Sequence, residues 1–314
     1  MRAYTFEKWY LDALTRDGTY VFAYLAIIRF LGCTYAQFSV NLARPGRPGI
    51  TRSFALKPEG YVPGLALTRL NTGNGNLEIG SGLCRLRMAF PGVEVQLEHT
   101  CSAPFDFGKQ PLTIRKDRRH YIGWHPIILD AQVSGRIRLD AEEIELNRCP
   151  GYVDYLWSNV LPPQNPAQEL HWGRIHAPGC SLTYTHARGN PGKRSRLYAR
   201  LSNTDIAFDD VHLVAQGADP SPALGLTYPR QIDLQAQNET ARVSVQLRHS
   251  AIAIESGFMD EVKAGVLRGF VRAATKDPRG GKFFARADVL LEHQGTRLEL
   301  SDVPCIDEYV RFGR

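Results

Sequence analysis

With 314 residues, 43% of them hydrophobic and 22% charged, the chain is long enough for one large domain or two of about 150 residues, and too apolar to be disordered. Its formal charge of +6 is spread along the sequence, and even the densest basic run, "RKDRRH" at 115–120, reads as a solvated loop. No nucleic-acid-reading motif accompanies that charge, so nucleic acid is not an expected partner.

The N-terminal stretch "MRAYTFEKWYLDA" carries charge where an export signal needs an apolar core. The longest apolar run, residues 21–32, contains Arg29 and is too short to span a bilayer. The six cysteines include no C-x-x-C and read as reduced thiols, so a cytoplasmic location is expected.

In chain order, the first element is a hairpin: a strand from Trp9, a turn at Gly18, and a strand carrying Tyr20, Phe22 and Tyr24. Period-two alternation follows at Val93, Val95 and Leu97 and again at Ile137 and Leu139, which is the signature of half-buried strands. Turn signals recur throughout, among them Asn74-Gly75, Pro91-Gly92, Ser134-Gly135 and "PRGG" at 278–281. The stretch "LPPQNPAQ" at 161–168 has no periodic pattern and suits a linker. Beyond it the hairpin pattern returns, with a strand from Trp172, a turn at Gly179 and a strand carrying Leu182 and Tyr184. Val243, Val245 and Leu247 continue the alternation, and residues 258–270, "FMDEVKAGVLRGF", are the best helical candidate. The chain is therefore expected to be mostly β, with two tandem antiparallel barrel or sandwich domains: residues 1–161, a proline-rich linker at 162–168, and residues 169–314.

Several chemistries are missing. There is no G-x-G-x-x-G, no phosphate-cradling glycine loop, no G-x-S-x-G elbow and no H-E-x-x-H, so neither a cofactor nor a metal is expected. His171 and His176 are five apart and would face opposite ways on a strand. "FDDVHL" at 208–213 lacks the third acid of a prenyl-diphosphate motif and reads as a loop.

What remains is a set of aromatic, acidic and imidazole groups around the boundary. On an extended backbone Tyr152 and Asp154 face the same way, as do Trp172, Arg174 and His176. Trp124 precedes His125 and would point away from it, and Trp157 follows Asp154. Each has a plainer reading: a Tyr/Asp pair capping a strand end, an arginine in a salt bridge, a satisfied interior histidine, tryptophans 9 and 172 as core anchors.

The order of "EKWYLDA", a histidine entering a strand, "GYVD" and "HWGRIH" resembles the carotenoid hydratase (hydroxyneurosporene synthase) family. That family belongs to a lipocalin-like superfamily of two tandem β-barrels, which also includes fungal decalin-forming Diels–Alderases and lipid carriers. The resemblance implies Tyr152, Asp154 and His125 as catalytic residues, with Asp154 the proton donor. Trp124, Trp157, Trp172, Arg174 and His176 would contact substrate. The family's histidine–x–tryptophan motif is incomplete, because Ile127 occupies the tryptophan position.

An alkene is protonated without a metal by a carboxylic acid that stays neutral, and an apolar, aromatic-lined setting favours that form. The reading is a cofactor-independent cyclase acting on an apolar polyene, isoprenoid or polyketide intermediate, preferred over water addition because of the incomplete motif. The alternatives are a carotenoid-type hydratase and a non-catalytic lipid or terpenoid carrier. The expected partner is an apolar small molecule, acquired through peripheral membrane contact.

Overall fold

The computed structural model describes residues 4–62, 68–101, 111–161, 164–189, 192–221, 223–257 and 278–312. The helical candidate at 258–270 lies outside the described residues. Among the described residues there is no α-helix, and no helix long and apolar enough to cross a membrane. The chain divides into two compact units, Met1–Arg44 with Gly49–Leu161, and Pro162–Arg314 with Pro45–Pro48.

The first sheet contains β1 (Tyr4–Leu14), β2 (Tyr20–Phe30), β3 (Cys33–Arg44), β4 (Arg47–Leu56), β5 (Pro58–Val62) and β6 (Thr68–Thr72). It continues with β7 (Gly75–Gly80), β8 (Leu83–Phe90), β9 (Val93–Thr100), β10 (Leu112–Arg115), β11 (Tyr121–Leu139) and β12 (Glu142–Ser158). Its order is β4-β3-β2-β1-β12-β11-β9-β8-β7-β6-β5, with β10 on β11. Alternation makes β8 and β9 amphipathic, each burying every second residue. Trp9, Leu11, Leu25, Phe38, Val40, Leu70, Leu86, Val95, Ile137 and Val153 form one continuous core, so the sheet wraps around an interior filled by its own side chains. β1, β2 and β3 differ from the rest because they are buried on both faces.

The second sheet is built from β13 (Ala167–Ala177), β14 (Cys180–Gly189), β15 (Gly192–Leu201), β16 (Thr204–Phe208), β17 (Val211–Gln216), β20 (Gln231–Gln237), β21 (Ala241–Gly257), β22 (Arg279–His293) and β23 (Thr296–Arg311). Two short strands, β18 (Asp219–Pro220) and β19 (Thr227–Tyr228), pair with each other. The order is β16-β15-β14-β13-β23-β22-β21-β20-β17. The Val211 amide donates to Ser195 Oγ at 2.8 Å and ties the far strand back to β15. In each unit the first strand pairs antiparallel with the last, β1 with β12 and β13 with β23. Both units are antiparallel β-barrels, and the hairpins expected around Gly18 and Gly179 are β1–β2 and β13–β14.

Two expected turns are strands instead. Gly135 sits inside β11 at a register shift, where its φ of 138° and the approach of Gln96 O to within 2.0 Å of a would-be Cβ require glycine. The "PRGG" glycines lie in β22, with the backbone oxygen of Tyr309 2.3 Å from a Cβ at Gly280.

Candidate functional site

The sequence contains two Tyr-x-Asp triplets, Tyr10-Leu11-Asp12 on β1 and Tyr152-Val153-Asp154 on β12. The antiparallel register sets Tyr10 directly opposite Asp154 and Asp12 directly opposite Tyr152. Directly opposed residues share a side of the sheet, so the four polar groups form a reciprocal block on the side facing away from the aliphatic core. All are buried: Asp12 and Tyr152 are 0% exposed and Asp154 is 6% exposed.

Hydrogen bonds fix the block. Tyr10 Oη donates to Asp12 Oδ2 at 3.1 Å, Tyr20 Oη donates to the same oxygen at 3.4 Å, and the Tyr10 and Tyr20 hydroxyls bond to each other. Trp124 Nε1 donates to Asp154 Oδ2 at 2.9 Å. The rings of Tyr10 and Tyr152 lie 6.4 Å apart, Tyr10 stacks on Phe22 at 5.9 Å, and Lys8 Nζ stands 4.9 Å from the Tyr24 ring centroid. Gly151 permits the approach of the two strands, because a Cβ there would sit 2.4 Å from the Asp12 carbonyl oxygen.

The expected site residues therefore separate. Asp154, Tyr152 and Trp124 come together. His125 is opposite Tyr155 in the register, on the core side of the sheet, away from Asp154. The alternation that turns Trp124 from His125 is the same one that points Trp124 toward the carboxyl group. Trp157 also lies on the other side, stacked on Tyr155 at 5.1 Å and covering Gly123, whose Cβ would meet its ring at 2.2 Å. Tyr155 in turn stacks on Trp9, and its hydroxyl donates to Glu7 at 2.6 Å. Sequence reasoning passed over Tyr10, Asp12 and Tyr20. The signal was present, since "EKWYLDA" repeats the Tyr-x-Asp spacing of "GYVD".

In the second unit Trp172, Arg174 and His176 share one side of β13, as their spacing requires. Trp172 is not a barrel-core anchor like Trp9: Gly173 and Ile175 face the core, and Trp172 lies under Lys282 Nζ at 5.3 Å from its ring centroid. Arg174 is buried, and His176 Nδ1 is 3.0 Å from Ser181 Oγ, its cross-strand partner.

The core side of this unit holds a polar knot that sequence gave no reason to expect. Asp307 on β23 accepts a hydrogen bond from Tyr184 Oη and another from His249 Nε2 at 2.9 Å, while His249 Nδ1 donates to Pro229 O at 2.6 Å. With a carbonyl oxygen at one ring nitrogen and a carboxyl oxygen at the other, His249 is placed to carry both protons. Burial opposes the charge on each member, but the ion pair prevails: His249 is held above the usual histidine range and Asp307 below the usual carboxylate range. Burial and the Asp307 charge push the Tyr184 phenol well above its ordinary value. Gly173 is needed here, because a Cβ would lie 2.7 Å from Tyr184 Oη. His186, opposite His171, is lowered to about 4 by burial and then by that neighbour.

A groove of about 500 Å³ lies elsewhere on the first unit, lined by Arg16, Asp17, Arg44, Glu143, Glu145 and Arg148 among others. It contains none of the expected site residues. Among the described residues no three His, Cys, Asp or Glu side chains converge to hold a metal ion.

No protein-family model matches the chain, and no curated protein matches it. Solved structures do. A protein from Nitrosomonas europaea provisionally assigned as AttH is 16% identical, with a TM-score of 0.66 over 98% of this chain and 92% of that one. Kievitone hydratase from Nectria haematococca is 8% identical, with a TM-score of 0.59 over 98% of this chain and 88% of that one. At these identities the likeness establishes the fold alone, two tandem antiparallel β-barrels. Neither of these two neighbours bears the name of a cyclase.

Proposed function

We propose that this two-barrel protein adds water to, or removes it from, a carbon–carbon double bond of an apolar, isoprenoid-like small molecule, with Asp154 transferring the proton. The reciprocal Tyr-x-Asp block, with the Trp124 indole bonded to one Asp154 oxygen, carries this reading. An indole N–H can only donate. Asp154 Oδ2 therefore accepts from the indole, and the acid proton of this mechanism sits on the other carboxyl oxygen.

In the hydrating direction that proton passes to one alkene carbon as the π electrons form the new C–H bond. Positive charge develops on the neighbouring carbon, and aromatic faces such as those of Tyr10 and Tyr152 each stabilise a desolvated cation by about 1–2 kcal/mol. Water adds to the cation and releases a proton to Asp12, whose carboxylate is already bonded to the Tyr10 and Tyr20 phenols. Tyr10, bonded to Asp12 and opposite Asp154, takes up that proton as it passes its own to Asp154. One water is consumed, one C–H and one C–O bond form, and the side chains end as they began. General acid–base steps of this kind contribute about 10²- to 10⁴-fold in rate.

Water addition replaces ring closure as the first reading for two reasons. The tryptophan missing at position 127 weighed against hydration, whereas Trp124 supplies an indole directly to the acid. A fold neighbour is also a hydratase by name.

The test is turnover of isoprenoid-chain alkenes in heavy-oxygen water, followed by mass spectrometry. Label in the product, lost in Asp154→Asn, supports the proposal. An unlabelled cyclic isomer replaces it with ring closure. Tight binding without turnover makes the protein a carrier, and turnover unaffected by Asp154→Asn removes Asp154 from the chemistry.

A further inference from the structure

The sheet side that carries the carboxylate block continues across β2 to β3 and β4, and its chemistry changes on the way. Asp154 is opposite Tyr10, Tyr10 opposite Tyr24, and Tyr24 opposite Ser39. The adjacent row runs Tyr152, Asp12, Phe22, Asn41. Each row passes from carboxyl and phenol, through an aromatic ring, to hydroxyl or amide. Three strand spacings of roughly 4.8 Å put the two ends about 14 Å apart.

The far end is polar and buried, with Ser39 0% and Asn41 3% exposed. Ser39 Oγ is 2.8 Å from Ser53 Oγ and accepts from Gln37 Nε2 at 3.1 Å, and Gln37 Oε1 accepts from Tyr35 Oη at 2.9 Å. Thr51 Oγ1 donates to Asn41 Oδ1 at 2.6 Å. Asn41 Nδ2 is buried without a hydrogen-bond partner among the described residues. Rotating the amide would let Nδ2 donate to Thr51 and would orphan Oδ1 instead, so one buried amide group is open in either orientation. Buried polar groups are otherwise almost always paired, and an open one is destabilising. A leucine of the same size would avoid that cost.

We infer that Asn41, with Ser39 beside it, forms a subsite for a neutral oxygen function of the ligand, a hydroxyl or carbonyl. The substrate is then bipolar: an apolar chain crosses the Tyr10, Phe22 and Tyr24 rings, with its oxygenated end at Asn41 and its alkene at Asp154. Only the placement of the alkene rests on the proposed function; the oxygen subsite stands on Asn41 itself.

The inference is tested by calorimetric binding of two saturated, unreactive probes: a fifteen-carbon isoprenoid alcohol and the hydrocarbon lacking its hydroxyl. A site built to hydrogen-bond a hydroxyl rejects the analogue without one, so wild type should bind the alcohol about tenfold more tightly or better. Asn41→Leu should bring the two probes within about twofold, leave hydrocarbon binding unchanged, and keep the melting temperature at or above that of wild type. Should Asn41→Leu fail to fold, Ser39→Ala and Thr51→Val carry the same comparison, each narrowing the preference. Equal binding of both probes by wild type, binding of neither, or a preference that survives these substitutions overturns the subsite. Asp154→Asn should retain the alcohol preference while losing turnover. If it loses turnover but wild type shows no preference, the oxygen subsite falls and the water-adding reading stands.

Discussion

The closing strands of the two barrels, β12 and β23, make a controlled comparison. Each pairs with the first strand of its unit and each carries a buried aspartate, yet Asp154 faces away from its barrel core and Asp307 faces into its own. Successive side chains on a strand alternate sides, so a single position decides which environment a carboxyl group meets. Asp307, inside a packed barrel, is met by the His249 cation and the Tyr184 phenol. The partners of Asp154 include an indole, and those of Asp12 two phenols. The compensated carboxylate holds structure. Under the proposed function, the block on the other side exchanges a proton.

Exchanging the roles of the two aspartates is the hardest test of this contrast. Asp154→Asn should lower kcat by about 10²- to 10⁴-fold while urea unfolding stays close to wild type. Asp307→Asn should do the reverse, since removing one partner of a buried pair costs about 3–5 kcal/mol and the loss should show in the unfolding midpoint. Gly173→Ala comes next. Its Cβ would displace the Tyr184 hydroxyl, 2.7 Å away, and overpacking of this kind costs about 1–3 kcal/mol. Trp124→Phe keeps the ring but deletes the N–H, so Asp154 loses its orienting bond; kcat should fall by up to about tenfold, a hydrogen bond to the neutral acid being worth about 0.5–1.5 kcal/mol.

The smallest effect is in the pH dependence of stability. Asp307 is held below its ordinary value, so its contribution is complete above about pH 4 and is lost as pH falls through its folded value. His249 is held above its ordinary value, so its contribution is complete below about pH 6.5 and is lost as pH rises through its folded value. Melting temperature against pH should peak between those limits and decline on both sides, and His249→Gln should flatten the alkaline decline. A wild-type curve that is level from pH 6 to 9 would contradict the charged pair.

Part of the site was legible in the sequence. Period-two spacing put Tyr152 with Asp154 and turned Trp124 away from His125, and both follow from strand geometry alone. Register was not legible, and register decides who stands opposite whom. Without it His125 was grouped with Asp154, although its register partner Tyr155 is on the core side; Trp157, three positions from Asp154 on the same strand, is turned away by alternation alone. Tyr10 and Asp12 could have been found by noticing that their spacing repeats that of Tyr152 and Asp154. The knot of Tyr184, His249 and Asp307 could not, because 123 positions separate Tyr184 from Asp307 and 58 separate His249 from it. Gly135 and Gly280 were read as turns for a related reason: a glycine that admits a neighbouring backbone looks, in one dimension, like a glycine that reverses the chain.

The sequence by itself determined that this chain is antiparallel β, with a hairpin near the start and another just past the proline-rich stretch. Alternating apolar residues bury one side of a strand wherever the strand is placed, and turn residues act locally. Only the tertiary structure decided that two Tyr-x-Asp triplets meet head to tail, that an indole reaches Asp154, and that Asp307 is neutralised by a histidine. Those pairings depend on which strands neighbour one another and in what register, which is fixed by packing across the whole barrel.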